Sequence, residues 1–177
     1  MRFSVRKLTT MAVLTAVALI IFMIEAVIPL PVTIPGIKLG LANVVTLFAL
    51  FYDDGKKRSP DNITVLDAFA ILICRIILGS LFSGRFVTFI YSLTGGLFSF
   101  AAQALLKKAV TIKQIWVCGA VGAIFHNIGQ IAAAVQLTKT PAVAAYLPVL
   151  IIAGIFTGII TGLTAQYTLA KLPRPSN

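Results

Sequence analysis

Glu25, Arg75 and His126 stand inside stretches of apolar residues. Asn43, Tyr91, Asn127, Gln130 and Tyr146 are placed similarly, and Lys38 lies just ahead of one such stretch. Ionisable groups inside a bilayer are costly enough to face protein or a water-filled cavity, so each marks a candidate site. Lys38, Arg75 and Arg85 outnumber Glu25, which favours an anion or a ligand with an anionic head as the occupant. Gly119, Gly122, Ala123, His126, Asn127 and Gln130 recur at spacings of three and four, which puts them on one helix face. The small members of that face suit close helix packing in a membrane. Gly154, Gly158 and Gly162 form a second such ridge, with Tyr146 on its extension.

The same residues leave structural roles open. His126, Asn127 and Gln130 are able to act as interhelical hydrogen-bonding groups, and Glu25 with Arg75 as an ion pair. Tyr91 and Tyr146 fit interfacial aromatics, and Asp67 fits a first-turn residue at a helix N-terminus. Convergence of most of the polar groups at one depth, beneath a Pro/Gly segment, favours a binding cavity.

Catalysis finds little support. Asp53-Asp54 runs into Gly55-Lys56-Lys57 and has no second acidic cluster with which to hold magnesium against a diphosphate. There is no GxxxxGK[ST] phosphate loop, CxxCH string or paired-histidine spacing. Neither an enzyme, a metal site nor a cofactor is expected. Cys74 and Cys118 lie in apolar stretches and read as reduced core thiols rather than a disulfide or zinc site.

The elements that must hold these residues are membrane helices. Of 177 residues 59% are hydrophobic and only 11% charged, with mean hydropathy +1.00, whereas charged residues make up about a quarter of a soluble domain. Six apolar spans are expected, at about 8–28, 39–52, 64–82, 86–106, 114–136 and 143–170, all within one integral membrane domain covering 1–177. The first follows Arg2, Arg6 and Lys7 but is too long for a signal-peptide core, so it reads as an uncleaved span. Lys and Arg cluster in alternate loops: at Arg2, Arg6 and Lys7; Lys56, Lys57 and Arg58; Lys107, Lys108 and Lys113; Lys171 and Arg174. The intervening loops hold only Lys38, Arg85 and Lys139. This alternation predicts both termini on the cytoplasmic side, and it is a topology signal rather than a nucleic-acid patch. The second span is short, about 20 Å of helix against a hydrocarbon core of about 30 Å, and follows Pro31, Pro35 and Gly36. It is therefore expected to be short or re-entrant, a pointer to a transporter binding site.

The strings PGIKLGLANVVTL (35–47), RIILGSLFSG (75–84), SLTGGLFS (92–99), HNIGQ (126–130) and YLPVLIIAGIFTGIITG (146–162) together resemble the Gx transporter family, also labelled heptaprenyl diphosphate synthase component I. The resemblance covers about residues 8–170. It implies a six-helix, all-α bundle of the bacterial cytoplasmic membrane, similar to the substrate-binding S components of energy-coupling-factor vitamin transporters. In those proteins the outer helix halves and first outer loop enclose the ligand. Ala12 and Ala16 match the small-residue face with which S components dock on a membrane coupling subunit, itself driven by cytoplasmic ATPases. The label implies a different role, that of a non-catalytic assistant to a separate prenyl diphosphate synthase subunit.

Three functions follow as expectations: a substrate-capture subunit of such an importer; a non-transporting membrane component of isoprenoid or quinone metabolism or of quinone-dependent extracellular electron transfer; and a stand-alone carrier driven by an ion gradient. The third is disfavoured, because six spans with no internal repeat make alternating access hard to build.

Overall fold

The computed structural model describes residues 4–28, 38–52 and 61–172. Among these residues six α-helices follow one another: α1 Val5–Glu25, α2 Asn43–Phe51, α3 Val65–Ser83, α4 Phe86–Leu106, α5 Ile115–Thr138 and α6 Leu147–Lys171. Short 3-10 turns at Ile112–Gln114 and Pro141–Tyr146 lead into α5 and α6. There is no strand among the described residues. Five of the helices are long and apolar enough to cross a membrane; α2 is not among them.

Nine residues give α2 a length of about 13 Å. It is shorter than the stretch 39–52 suggested, because residues 38–42 leave the helix. Gly40 adopts φ +82°, a left-handed conformation that glycine takes without steric cost. The Pro31–Gly36 stretch lies outside the described residues. What remains of α2 is buried on nearly all sides, with Val45, Leu47, Ala49 and Leu50 each at most 5% exposed. An all-round apolar helix is stable in this position because it has no polar face to solvate. It touches every other long helix and forms the axis of the bundle.

Two ends of the bundle can be told apart. At one, Ile115, Cys118, Ala165 and Leu169 pack with Leu47, Phe51, Leu106 and Val110. Thr64 and Asp67 make a reciprocal capping box there, and the Asp67 carboxylate also pairs with Lys7, fastening the start of α1 to the start of α3. Asp67 thus has the helix-start role its position suggested. At the other end Tyr91, Ile131, Ala133, Ala134 and Leu150 form a separate apolar cluster. Arg6, Lys7, Lys107, Lys108, Lys113 and Lys171 all fall at or beside the first end. Arg85 and Lys139 fall at the second.

The α5–α6 contact is made backbone to backbone. A Cβ added at Gly162 would lie 2.5 Å from the Trp116 Cα, and one at Gly158 would lie 2.7 Å from the Ala120 Cα. The glycine ridge of α6 therefore serves close packing, as its spacing implied. Cys118 is buried, but Cys74 is exposed on the outside of α3, which corrects the reading of both thiols as core groups. Residue 74 falls on the outer face of a helix whose inner face carries Arg75.

Candidate functional site

The polar residues meet near the middle of the bundle, displaced toward its less basic end. Asn43 opens α2, and its side-chain oxygen accepts from the Arg75 guanidinium of α3 at 2.9 Å. The Asn43 amide nitrogen lies 3.0 Å from Nδ1 of His126 on α5. One turn further along α5, the Gln130 amide nitrogen lies 2.9 Å from His126 Nε2. The Lys38 backbone amide donates to Gln130 Oε1 at 3.2 Å. Arg75, Asn43, His126, Gln130 and the Lys38 amide thus form one row, drawn from three helices and the segment before α2. Each of these residues is at most 9% exposed.

Glu25, at the end of α1, joins from the side by accepting from the Gly40 amide. The Lys38 ammonium donates to the Phe22 carbonyl at 3.2 Å and sits 3.2 Å above the centre of the Phe22 ring. Lys38 is therefore bound to protein at its ammonium as well as its backbone. The Arg75 guanidinium lies 5.8 Å from the same ring. No ion pair joins Glu25 to Arg75 within 4.0 Å; ion pairs between described residues occur at Arg6–Asp61 and Lys7–Asp67.

Two glycines make room for the imidazole. A Cβ on Gly40 would meet His126 Cδ2 at 2.8 Å, and one on Gly95 would meet His126 Cε1 and Nδ1 at 2.8 Å. Substitution at Gly40 is opposed twice, by this contact and by its left-handed backbone. Gly79 similarly admits the Phe22 ring against α3, 2.8 Å from where its Cβ would stand. Phe22, Gly40, Gly79 and Gly95 were absent from the residues read as a site. The glycines in KLGLAN and LTGG were visible as strings, but only the fold reveals which side chain each accommodates.

The helix face expected to carry His126, Asn127 and Gln130 together divides. His126 and Gln130 point toward α4 and the segment before α2, whereas the Asn127 amide donates to the Leu150 carbonyl of α6 at 2.6 Å. One residue turns about 100° around a helix, so neighbours 126 and 127 face different partners. Tyr91 belongs to the apolar cluster with Ile131 and Leu150, and Tyr146 packs against it, apart from the hydrogen-bonded row. Ala12 and Ala16 lie on the exposed face of α1.

A recess of about 330 Å³ opens beside the row, lined by Glu25, Ala26, Ile28, Lys38, Ser83, Arg85 and Thr88. Its size is at the lower end of small-molecule sites. A second void, with room for about one water, lies inward of the row between Asn43, Gln103, Thr157 and Thr161. The side-chain oxygen of Gln103 is buried without a hydrogen-bond partner. No group of three metal-ligating side chains occurs among the described residues.

The arrangement suits recognition of an anion: cationic and N–H donors dominate the row, and the Glu25 carboxylate beside it is engaged by a backbone amide. Comparison with curated proteins gives no match, and neither does comparison with solved structures. The family described as heptaprenyl diphosphate synthase component I matches residues 14–168. With most of its length so matched, and with an apolar helical bundle as its fold, this chain is a membrane protein belonging to the heptaprenyl diphosphate synthase component I family.

Proposed function

We propose that the chain is the ligand-capturing membrane component of an importer of the energy-coupling-factor type, taking up a small anionic or amphiphilic molecule. The observation that carries this reading is the buried row from Arg75 to Lys38 beside a recess whose charged lining is Lys38, Arg85 and Glu25. Buried polar groups held by several elements around a concavity are the usual construction of a small-molecule site. By the distribution of basic residues the recess end faces outward and both termini face the cytoplasm, with α2 serving as a shortened sixth span. Ala12 and Ala16 then offer a flat surface to a membrane coupling subunit with its ATPases.

The importer reading is tested by affinity purification from a native membrane. A coupling subunit and an ATPase are expected to copurify with the unmodified chain and to be lost with Ala12→Trp, which leaves ligand binding intact.

A second reading is favoured by the family's description as a synthase component. The chain has only five acidic residues and no paired aspartate clusters, so it would present an isoprenoid or quinone to a separate catalytic subunit. Copurification of a soluble prenyl diphosphate synthase, with no ATPase, would decide for this reading.

A further inference from the structure

The hydrogen-bonded row contains a donor too many. Four contacts join five groups: the Arg75 guanidinium, the Asn43 amide, the His126 imidazole, the Gln130 amide and the Lys38 backbone N–H. Both ends of the row can only donate. Each of the three groups between them offers the row one acceptor and one donor, taking the imidazole as neutral. Four contacts therefore meet three acceptors. This holds whichever way either amide is turned and whichever imidazole nitrogen carries the proton. With the Asn43 oxygen on Arg75 and the Gln130 oxygen on Lys38, both amide nitrogens aim at the one ring, which can accept from only one of them.

Nearby groups do not remove the excess. A proton carried on Nδ1 and turned toward the neighbouring Gly95 does not help. The Asn43 amide hydrogens would then point at that same N–H. Protonating His126 deletes the remaining ring acceptor. Arg75 Nε is also buried without a partner. An unmet buried donor carries the full cost of its desolvation, so the row as it stands is incomplete.

We infer that the ligand supplies the missing acceptor as an anionic oxygen, of a carboxylate or a phosphate, at the Lys38 backbone amide. This rests on the reading of the recess as the ligand site. Lys38 both ends the row and lines the recess, so the recess is where a ligand oxygen would meet the row. Once the Lys38 amide is taken, Gln130 Oε1 is free to turn and accept His126 Nε2–H. Three contacts then remain in the row and three acceptors serve them. The Arg85 side chain, lining the same recess, supplies the counter-charge. Gln130 is accordingly the residue through which an occupied recess is registered at His126 and Arg75.

The test supplies the acceptor from the protein itself. Gln130→Glu replaces the amide by a carboxylate that accepts from the Lys38 amide and from His126 together. Its apparent Tm without added anion is expected to rise by about 2–4 °C, the shift one recovered hydrogen bond gives a chain of this size. Gln130→Met, which supplies neither donor nor acceptor, is expected to lower it. If Gln130→Glu lowers Tm as Gln130→Met does, the row is already satisfied and the inference falls.

A second arm titrates the unmodified chain with sodium acetate and with inorganic phosphate at constant ionic strength. At least one is expected to raise Tm in the unmodified chain and to leave Gln130→Glu unmoved; the one that acts identifies the oxyanion. If Gln130→Glu is stabilised while neither anion shifts the unmodified chain, the missing acceptor is a water, and the assignment to a ligand oxygen is overturned. Whether the recess holds any ligand is judged separately, from the compounds that copurify, so the two readings fail on different results.

Discussion

Arg75 separates a binding site from a structural ion pair, and the geometry fixes what each substitution should cost. A direct buried pair loses about 3–5 kcal/mol when one partner is removed, and the double variant recovers most of it. Here the guanidinium bonds Asn43 rather than Glu25, and no Arg75–Glu25 contact falls within 4.0 Å. At an effective dielectric of about 20, unit charges 4 Å apart attract by about 4 kcal/mol, and at roughly 8 Å by about 2. Glu25 and Lys38 line the same recess, whereas Arg75 does not. Coupling between Glu25 and Arg75 should therefore fall short of that of a direct buried pair. Arg75→Gln loses one charge-assisted hydrogen bond, worth about 1.5–3 kcal/mol, and relieves a buried Nε–H with no partner, costing about 1–3. These nearly offset each other, so the ligand-free protein should shift by no more than about 2 kcal/mol. Glu25→Gln keeps an acceptor for the Gly40 amide and should be comparably mild.

The assay is a double-mutant cycle on reversible unfolding in detergent, over Arg75→Gln, Glu25→Gln and the double, with a parallel cycle on Glu25 and Lys38→Met. The Glu25–Lys38 coupling should be the larger. A Glu25–Arg75 coupling of about 3–5 kcal/mol, with recovery in the double variant, would refute the argument and return Arg75 to a structural role.

The other predictions concern the frame. Gly158→Leu should separate α5 from α6 and destabilise by at least about 2–3 kcal/mol in the same unfolding assay, because backbone stands where the new side chain would begin. Asp67→Ala removes the capping box and the Lys7 pair together and should cost about 1–2 kcal/mol, with early exchange of the first amides of α3. Gly40→Ala, strained by its left-handed backbone and its contact with His126, should cost about 1–3 kcal/mol and reduce ligand affinity in a binding titration. Cysteines at Lys108 and Lys139 should label from opposite sides of the membrane, position 108 from the cytoplasm; labelling of both from one side would overturn the orientation.

Much of the frame was legible because membrane helices write themselves in long apolar runs. The α4 span was placed at its observed limits, and the starts of α3 and α5 within a residue. The start of α2 was not, since residues 39–42 are as apolar as a helix requires and leave it at Gly40, whose backbone is left-handed and whose amide, like that of Lys38, bonds a side chain. Site residues could be nominated by type and depth, yet partners could not. His126 and Asn127 stand side by side in HNIGQ but serve different neighbours. Tyr91 and Tyr146 share the depth of the row and pack into an apolar cluster instead. Lys38, which lies just ahead of its apolar stretch, is held by Phe22 and Gln130. Helical spacing gives a direction around one axis; the identity of what lies in that direction depends on how six axes cross.

The central claim is that the recess and the buried row hold a small anionic molecule. Its most direct test is mass spectrometry of the compounds released on denaturing the purified, detergent-washed protein, the unmodified chain beside Arg75→Gln. One anionic compound near one per chain in the unmodified protein, and absent from Arg75→Gln, is the predicted result. No bound compound in the unmodified chain, or the same compound retained equally by Arg75→Gln, would contradict it.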